Sequence, residues 1–160
     1  MRGGGDRHRA SSSRRVWQGR CKQIRPFDEA DTETVVALWE RCGLTRPWND
    51  PRRDIERKLT VQRELFLVGV DAEEALVATA MAGYDGHRGW VYYVAVEPDR
   101  QGEGFGRQLM AEVERSLEAL GCPKVNFQVR TGNERVRAFY EHLGYSVDDA
   151  FGMGKRLIAD

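Results

Sequence analysis

Residues 91–117, VYYVAVEPDRQGEGFGRQLMAEVERSL, join an apolar strand to an amphipathic helix through a turn that contains three glycines. The glycines at positions 102, 104 and 106 leave the N–H groups of the turn uncovered, and the first turn of a helix adds partial positive charge. This combination favours the binding of a pyrophosphate. Glycines that serve only a tight turn would give the same local pattern.

Two nucleotide-binding patterns are excluded by the spacing of this turn. A Walker A loop requires Gly-Lys-Ser/Thr, whereas Gly106 is followed by Arg107 and Gln108. A Rossmann turn requires a third glycine where Arg107 stands. The turn therefore fits neither kind of nucleotide site.

Hydrophobic periodicity along the rest of the chain predicts the order β-α-α-β-β-β-α-β-α-β-β, a mixed sheet with helices on both faces. Asn49 or Asp50, followed by Pro51, predicts the start of the second helix. Thr131 and Glu134 predict a capping box for the last helix. The predicted strands are CKQIRPF, ELFLVGV, ALVATAMAGY, GWVYYVAV, KVNFQVR, YSVDD and FGMGKRLI, and the second to the fourth of them are expected to form an antiparallel meander.

Charge is divided unevenly along the 160 residues, although 25 basic side chains balance 25 acidic ones. Residues 1–22 hold seven of the bases and one acid, which leaves the remainder with six more acids than bases. We predict a disordered basic extension over residues 1–21, and a folded domain over residues 22–160 that has no nucleic-acid partner. A nucleic-acid arm or an organelle presequence is the alternative interpretation of the extension.

Hydropathy and cysteine content indicate the environment of the chain. No apolar run approaches 18 residues, so we expect no membrane association. Cys21, Cys42 and Cys122 lie far apart, with no histidine at ligand spacing. This pattern predicts a cytoplasmic protein with free thiols and no metal site.

The pattern Gln/Arg-x-x-Gly-x-Gly, preceded by Val-Ala-Val-x-Pro, resembles the GNAT superfamily, the Gcn5-related N-acetyltransferases. The resemblance extends from Lys22 to Ile158, and the segments WERCGLTRPWNDPRRDIERK, GCPK and GKRLI are similar to small bacterial members. The positions that carry the motif are Gln101, Gly104, Gly106, Asn133, Tyr140, Gly144 and Tyr145.

The resemblance implies a mostly antiparallel α/β sheet that splays between its fourth and fifth strands, here GWVYYVAV and KVNFQVR. Acetyl-CoA would lie in that opening. The implied activity is transfer of its acetyl group to a primary amine by direct attack in a ternary complex, without a metal, by a monomer or homodimer. A non-catalytic acyl-CoA sensor on the same fold is the alternative function, and a nucleic-acid or membrane module built on the basic extension is a third.

Carried over position by position, the resemblance assigns a task to each of four groups in the cofactor site. Backbone groups of residues 94–96 would bind the pantetheine arm and polarise the thioester, and the amides of residues 101–107 would hold the pyrophosphate. Asn133 would bind the pantetheine or diphosphate region, and Tyr140 would donate a proton to the CoA thiolate. The implied cofactor-binding residues are Val94, Ala95, Val96, Gln101, Gly102, Glu103, Gly104, Phe105, Gly106, Arg107, Asn133 and Tyr140.

The general base and the acceptor are not specified by the sequence. Gln128 stands where ribosomal-protein acetyltransferases of the superfamily have a glutamate, and an amide cannot accept the proton. Tyr92, expected on the sheet face of Val94 and Val96, is one candidate base, and Asp85 and His87 of the preceding hairpin are others. A reaction at alkaline pH without a dedicated base is the remaining alternative. A polyamine, an aminoglycoside, an amino acid or a protein amine would each suit as acceptor.

Overall fold

The computed structural model describes residues 20–160. The predicted basic extension therefore lies outside the described residues except at its last two positions. Cys21 contacts the folded body, where its N–H donates to Oε1 of Gln108 at 3.0 Å.

Within residues 20–160 the chain alternates between strands and helices, joined by three short 3₁₀ turns. None of these helices is long and apolar enough to cross a membrane. The elements in chain order are β1 (Gln23–Pro26), α1 (Thr32–Arg41), α2 (Pro51–Leu59), β2 (Phe66–Val70), β3 (Leu76–Tyr84), β4 (Gly89–Val96), α3 (Phe105–Ala119), β5 (Val125–Asn126) and α4 (Glu134–His142).

The five strands form one sheet in the order β1-β2-β3-β4-β5. Strands β1 to β4 pair antiparallel, which confirms the meander, and β5 runs parallel to β4. That last pairing is limited to Gly89 with Val125 and Trp90 with Asn126. Among the described residues, the edge of β4 beyond Trp90 therefore has no partner strand, and the predicted splay between the fourth and fifth strands is confirmed.

Two hydrophobic cores cover the two faces of the sheet, as predicted. One core joins the sheet to α3 and α4 through side chains such as Leu109 and Tyr140. The other joins it to α1 and α2 through Trp39 and Ile55. The sheet therefore separates a face covered by α3 and α4 from a face covered by α1 and α2.

A β-bulge interrupts β4 at Tyr93. The pairing with β3 shifts so that Tyr92 lies opposite Met81 and Ala95 lies opposite Thr79. Tyr93 takes a φ of 51°, a left-handed conformation that is unusual for an aromatic residue. The extra residue reverses the alternation of side chains along the rest of β4.

The bulge decides which side chains of β4 share a face. Trp90, Tyr92 and Tyr93 all line the same cleft on the α1 and α2 side, whereas Val94 and Val96 pack on the α3 side. The expectation that Tyr92 shares a face with Val94 is therefore wrong. An alternating sequence gives no sign of the inserted residue, so strict alternation places Tyr92 on the wrong side.

The predicted closing pair of strands is also absent, because residues 145–160 contain neither a helix nor a strand. Phe151, Met153 and Leu157 are exposed in this segment. A strand requires a neighbour that accepts and donates backbone hydrogen bonds, and among the described residues none pairs with β5 on its outer edge. The predicted capping box at Thr131 is wrong as well, because Asn133 caps α4 by accepting from the N–H of Val136.

Candidate active site

The Gly-rich turn ends β4 and opens α3 as predicted. Gly102 and Gly104 have φ values of 83° and 100°, which residues with a side chain rarely adopt. The first α3 amide to bond back into the turn is that of Gln108, which donates to the carbonyl of Gly104 at 3.1 Å. No described residue accepts a hydrogen bond from the amides of residues 102–107. Six backbone donors at a helix N-terminus are thus available to an anion.

A buried ion pair fixes this turn to the rest of the protein. Arg100 donates through Nη1 to Oδ2 of Asp71 at 2.7 Å, and the Asp71 side chain is only 3% exposed. Arg100 also donates to Oε2 of Glu103 at 3.0 Å and lies over the Phe105 ring, 5.0 Å from its centroid. The pair joins the hairpin between β2 and β3 to the turn.

Opposing influences set the pKa of Asp71. Burial acts to raise it, but hydrogen bonds from Arg100 and from the amides of Ala75 and Glu73 outweigh burial, so the pKa lies below its usual value. The carboxylate therefore stabilises the folded state at neutral pH. This contribution is complete above about pH 4, the pKa of an aspartate in the unfolded chain. It is lost as the pH falls from there through the lower pKa of Asp71 in the folded state.

Replacing Asp71 with asparagine is expected to lower the melting temperature at pH 7 by roughly 4–8 °C. The change leaves Arg100 without its buried partner and lowers the free energy of unfolding by about 2 kcal/mol. The loss is modest because Arg100 is partly exposed and keeps its pair with Glu103. The control is Asp148→Asn, which breaks an exposed pair with Lys124 and should shift the melting temperature by roughly 1 °C or less. Thermal melts check both variants, and equal shifts would contradict the role of Asp71. The difference from wild type should shrink below about pH 4.

The end of β4 meets the turn at Val96. Its carbonyl accepts from Nε2 of Gln101 at 3.1 Å and from Sγ of Cys42 at 3.3 Å. Burial raises the pKa of the Cys42 thiol, and the charge of Glu97 adds to this. Cys42 thus remains a thiol at neutral pH, which does not suit it as a nucleophile.

Tyr140 lies in the core on the same face as α3, where only 8% of the residue is exposed. Its ring packs 4.1 Å from Phe127 and 5.8 Å from Tyr145. The neighbouring Phe139 contacts the Gly-rich turn so closely that a Cβ atom on Gly106 would lie 3.1 Å from its ring. Helix α4 thus packs against the turn through Phe139, the residue before Tyr140.

The hydroxyl of Tyr140 has no hydrogen-bond partner among the described residues. Burial raises the pKa of Tyr140 to about 12. The phenol therefore keeps its proton at neutral pH and has it available for donation.

A cleft of about 600 Å³ lies on the opposite face of the sheet, between α2 and strands β3 and β4. At one side of it the hydroxyl of Tyr93 donates to Oδ2 of Asp54 at 2.6 Å. Nδ2 of Asn49 donates to the same carboxylate oxygen and to the Tyr93 hydroxyl, the latter at 3.1 Å. No local sequence pattern predicts this cluster, because its members lie up to 44 positions apart.

The sequence-predicted bases are poorly suited to accept a proton. Burial and, to a smaller extent, Asp85 raise the pKa of Tyr92. Asp85 accepts from the amides of Arg88 and His87, and these bonds lower its pKa. Gln128 and His87 are exposed.

The loop between α1 and α2, which contains Arg46 and Trp48, lies mostly outside the cleft. Trp48 is 61% exposed and does not line it, and Arg46 donates to the carbonyls of Gly43 and Thr45. Neither residue therefore lines the cleft.

Comparison with known proteins gives consistent results. The family model described as "Acetyltransferase (GNAT) family" matches residues 29–145. An acetyltransferase of Yersinia enterocolitica is 51% identical over 138 residues, which cover 86% of this chain and 97% of the relative. An acetyltransferase of Pectobacterium atrosepticum is 49% identical with the same coverage.

Solved structures share the fold at lower identity. Ard1 from Thermoplasma volcanium superposes with a TM-score of 0.68 at 23% identity, covering 79% of this chain and 83% of its own. The enzyme AAC(6')-Iy, solved in complex with the bisubstrate analogue CoA-S-monomethyl-acetylneamine, superposes with a TM-score of 0.68 at 18% identity. That match covers 84% of this chain and 98% of the other.

Proposed function

The chain belongs to the acetyltransferase (GNAT) family, and from this we propose that it transfers the acetyl group of acetyl-CoA to a primary amine. The amine attacks directly in a ternary complex. The observation that carries the proposal is the arrangement around β4. Free backbone donors and the Tyr140 hydroxyl lie toward α3, and an open cleft lies on the other face of the same strand.

Acetyl-CoA would occupy the opening between β4 and β5. The amides of residues 101–107 would hold the pyrophosphate, and the unpaired edge of β4 at residues 94–96 would bond the pantetheine arm as an added strand does. Asn133 caps α4 through its carbonyl oxygen, and its amide NH₂ donates to no described residue, so this group is available to the cofactor. The complex between AAC(6')-Iy and a CoA analogue supports a cofactor of this kind on this fold.

The reaction needs one bond to form and one to break. The lone pair of the neutral amine attacks the thioester carbonyl carbon, while a backbone N–H of β4 polarises the carbonyl oxygen. The carbon–sulfur bond then breaks, the thiolate takes the proton of Tyr140, and the new amide loses its extra proton to water. Tyr140 regains its proton from solvent. Cys42, a thiol at neutral pH, takes no part, so no acyl-enzyme forms.

The proposal is tested with acetyl-CoA and a panel of primary amines, with thiol release as the signal. We expect micromolar binding of acetyl-CoA by calorimetry and turnover of at least one amine. The rate should rise between pH 7 and 9, because the amine must lose a proton before it attacks and no described residue in the site is a suitable base. Tight acetyl-CoA binding without turnover of any amine would contradict the transferase and favour the sensor.

A further inference from the structure

The cleft between α2 and β4 has mainly aromatic walls. The bulge at Tyr93 brings Tyr92 and Tyr93, which are adjacent in sequence, to the same side, and Trp90 lies beside them. Tyr84 and Met81 of β3 extend this surface. Aromatic walls bind planar apolar groups by stacking, and they attract a cation that lies against a ring face.

Two carboxylates line the cleft: Asp85 lies in the exposed hairpin before β4, and Asp54 lies where α2 meets this aromatic surface. Its side chain is 23% exposed, so it is reachable from the cleft. Tyr93 and Asn49 fix its position by donating to Oδ2, and Arg57 donates to Oδ1 at 3.2 Å. A carboxylate accepts about four hydrogen bonds, which leaves capacity for one more donor.

Two cations limit the charge of a suitable ligand. Arg57 lines the cleft but is paired with Asp160 and Asp54. Lys58 donates to the carbonyl of Ala82 at 2.5 Å and has no carboxylate partner among the described residues. A polyamine or aminoglycoside would place its additional ammonium groups near these cations, whereas an amine with a single charge would not.

We propose that the acceptor is a monoamine carried on an aromatic body, with its ammonium group bound by Asp54 and its ring against Trp90 and Tyr92. This inference rests on the proposed function and names the substrate class of the same site. Asp54 acts in acceptor binding, and the ammonium loses its proton to water before it attacks. Removing the carboxylate should therefore raise KM and leave kcat nearly unchanged.

The test measures binding without turnover. In the presence of CoA, calorimetry compares 2-phenylethylamine with its uncharged isostere 2-phenylethanol. We expect the wild type to bind the amine at least tenfold more tightly, and Asp54→Asn to lose this preference, as befits a hydrogen bond between two charged groups. Glu56→Gln, the same change of charge on the exposed face of α2, should retain it. An equal preference in wild type and Asp54→Asn would overturn the inference.

The variant Tyr93→Phe separates ammonium binding by Asp54 from an effect on the bulge. Tyr93→Phe removes the hydroxyl that holds the bulge to Asp54 but keeps the carboxylate, so it should retain the preference for the amine. If Tyr93→Phe abolished the preference as fully as Asp54→Asn, the role of Asp54 would be structural.

For 2-phenylethylamine we expect a kcat/KM at least tenfold above that for spermidine, and a higher value for spermidine would overturn the proposed class. Turnover of spermidine alone would leave the transferase intact, whereas the absence of both acetyl-CoA binding and turnover would remove the proposed function itself.

Discussion

Replacing Gly104 with aspartate is expected to weaken the binding of acetyl-CoA more than 100-fold. Gly104 precedes the first residue of α3, in the middle of the amides of residues 101–107 that are proposed to hold the pyrophosphate. A carboxylate about 5 Å from one phosphate charge would repel it by roughly 3 kcal/mol at an effective dielectric constant near 20, which is a factor of more than 100. Calorimetric titration with acetyl-CoA measures the loss.

The matched control is Gly104→Asn, which adds nearly the same side chain without the charge. Both residues tolerate the φ of 100° better than other side chains do, and both cap helices well, so both variants should fold. We expect the asparagine variant to lose no more than about tenfold in affinity, because only bulk opposes the pyrophosphate. Unchanged affinity in a folded Gly104→Asp protein would show that the pyrophosphate lies elsewhere.

Local sequence signals predicted the parts of this fold that depend on neighbouring residues. Asp50 accepts from the N–H of Arg52, and Pro51 opens α2, as the sequence predicted. The Gly-rich turn was predicted for the same reason, since its glycines, the apolar strand and the helix are contiguous. The two-faced sheet followed from the number and order of such elements.

Pairings between distant residues were not predictable in this way. The ion pair between Asp71 and Arg100 joins residues 29 positions apart, and the bond from Tyr93 to Asp54 joins residues 39 apart. A single sequence gives no sign of either partner. The sequence placed its polar candidates at the hairpin, while Asp54, the carboxylate proposed to bind the acceptor, lies on α2.

The bulge at Tyr93 shows how such pairings determine the site. Its carbonyl accepts from Oγ1 of Thr79, which in turn accepts from Nε1 of Trp39, each at 2.9 Å. The Tyr93 ring stacks on Trp39 with centroids 3.8 Å apart. These contacts offset a backbone strain of about 1–3 kcal/mol. Tyr93 is thus held by Trp39 and Thr79 on one side and by Asp54 in the cleft on the other. Its conformation therefore follows from tertiary contacts and not from local preference.

Replacing Tyr140 with phenylalanine is expected to lower kcat by roughly 10- to 1000-fold. The variant loses the phenol that protonates the leaving thiolate, a step for which general acids contribute on this scale or above it. The lower part of the range is favoured because a thiolate is a tolerable leaving group near neutral pH. Acetyl-CoA affinity and the melting temperature should change little, because the ring still packs on Phe127 and its hydroxyl bonds to no described residue.

Tyr145→Phe provides the matched control for this prediction. It removes a tyrosine hydroxyl from the same ring cluster, but that hydroxyl donates to Oε1 of Glu114 at 2.5 Å and so is already engaged. Its kcat should stay within about twofold of wild type, while its melting temperature falls by the loss of one hydrogen bond. Because the pKa of Tyr140 is about 12, the ratio of wild-type to Tyr140→Phe rates should be constant from pH 6 to pH 10. Steady-state kinetics with an accepted amine test the acid role of Tyr140. Equal kcat values for wild type and Tyr140→Phe would exclude that role. Parallel losses in Tyr140→Phe and Tyr145→Phe would assign the effect to packing.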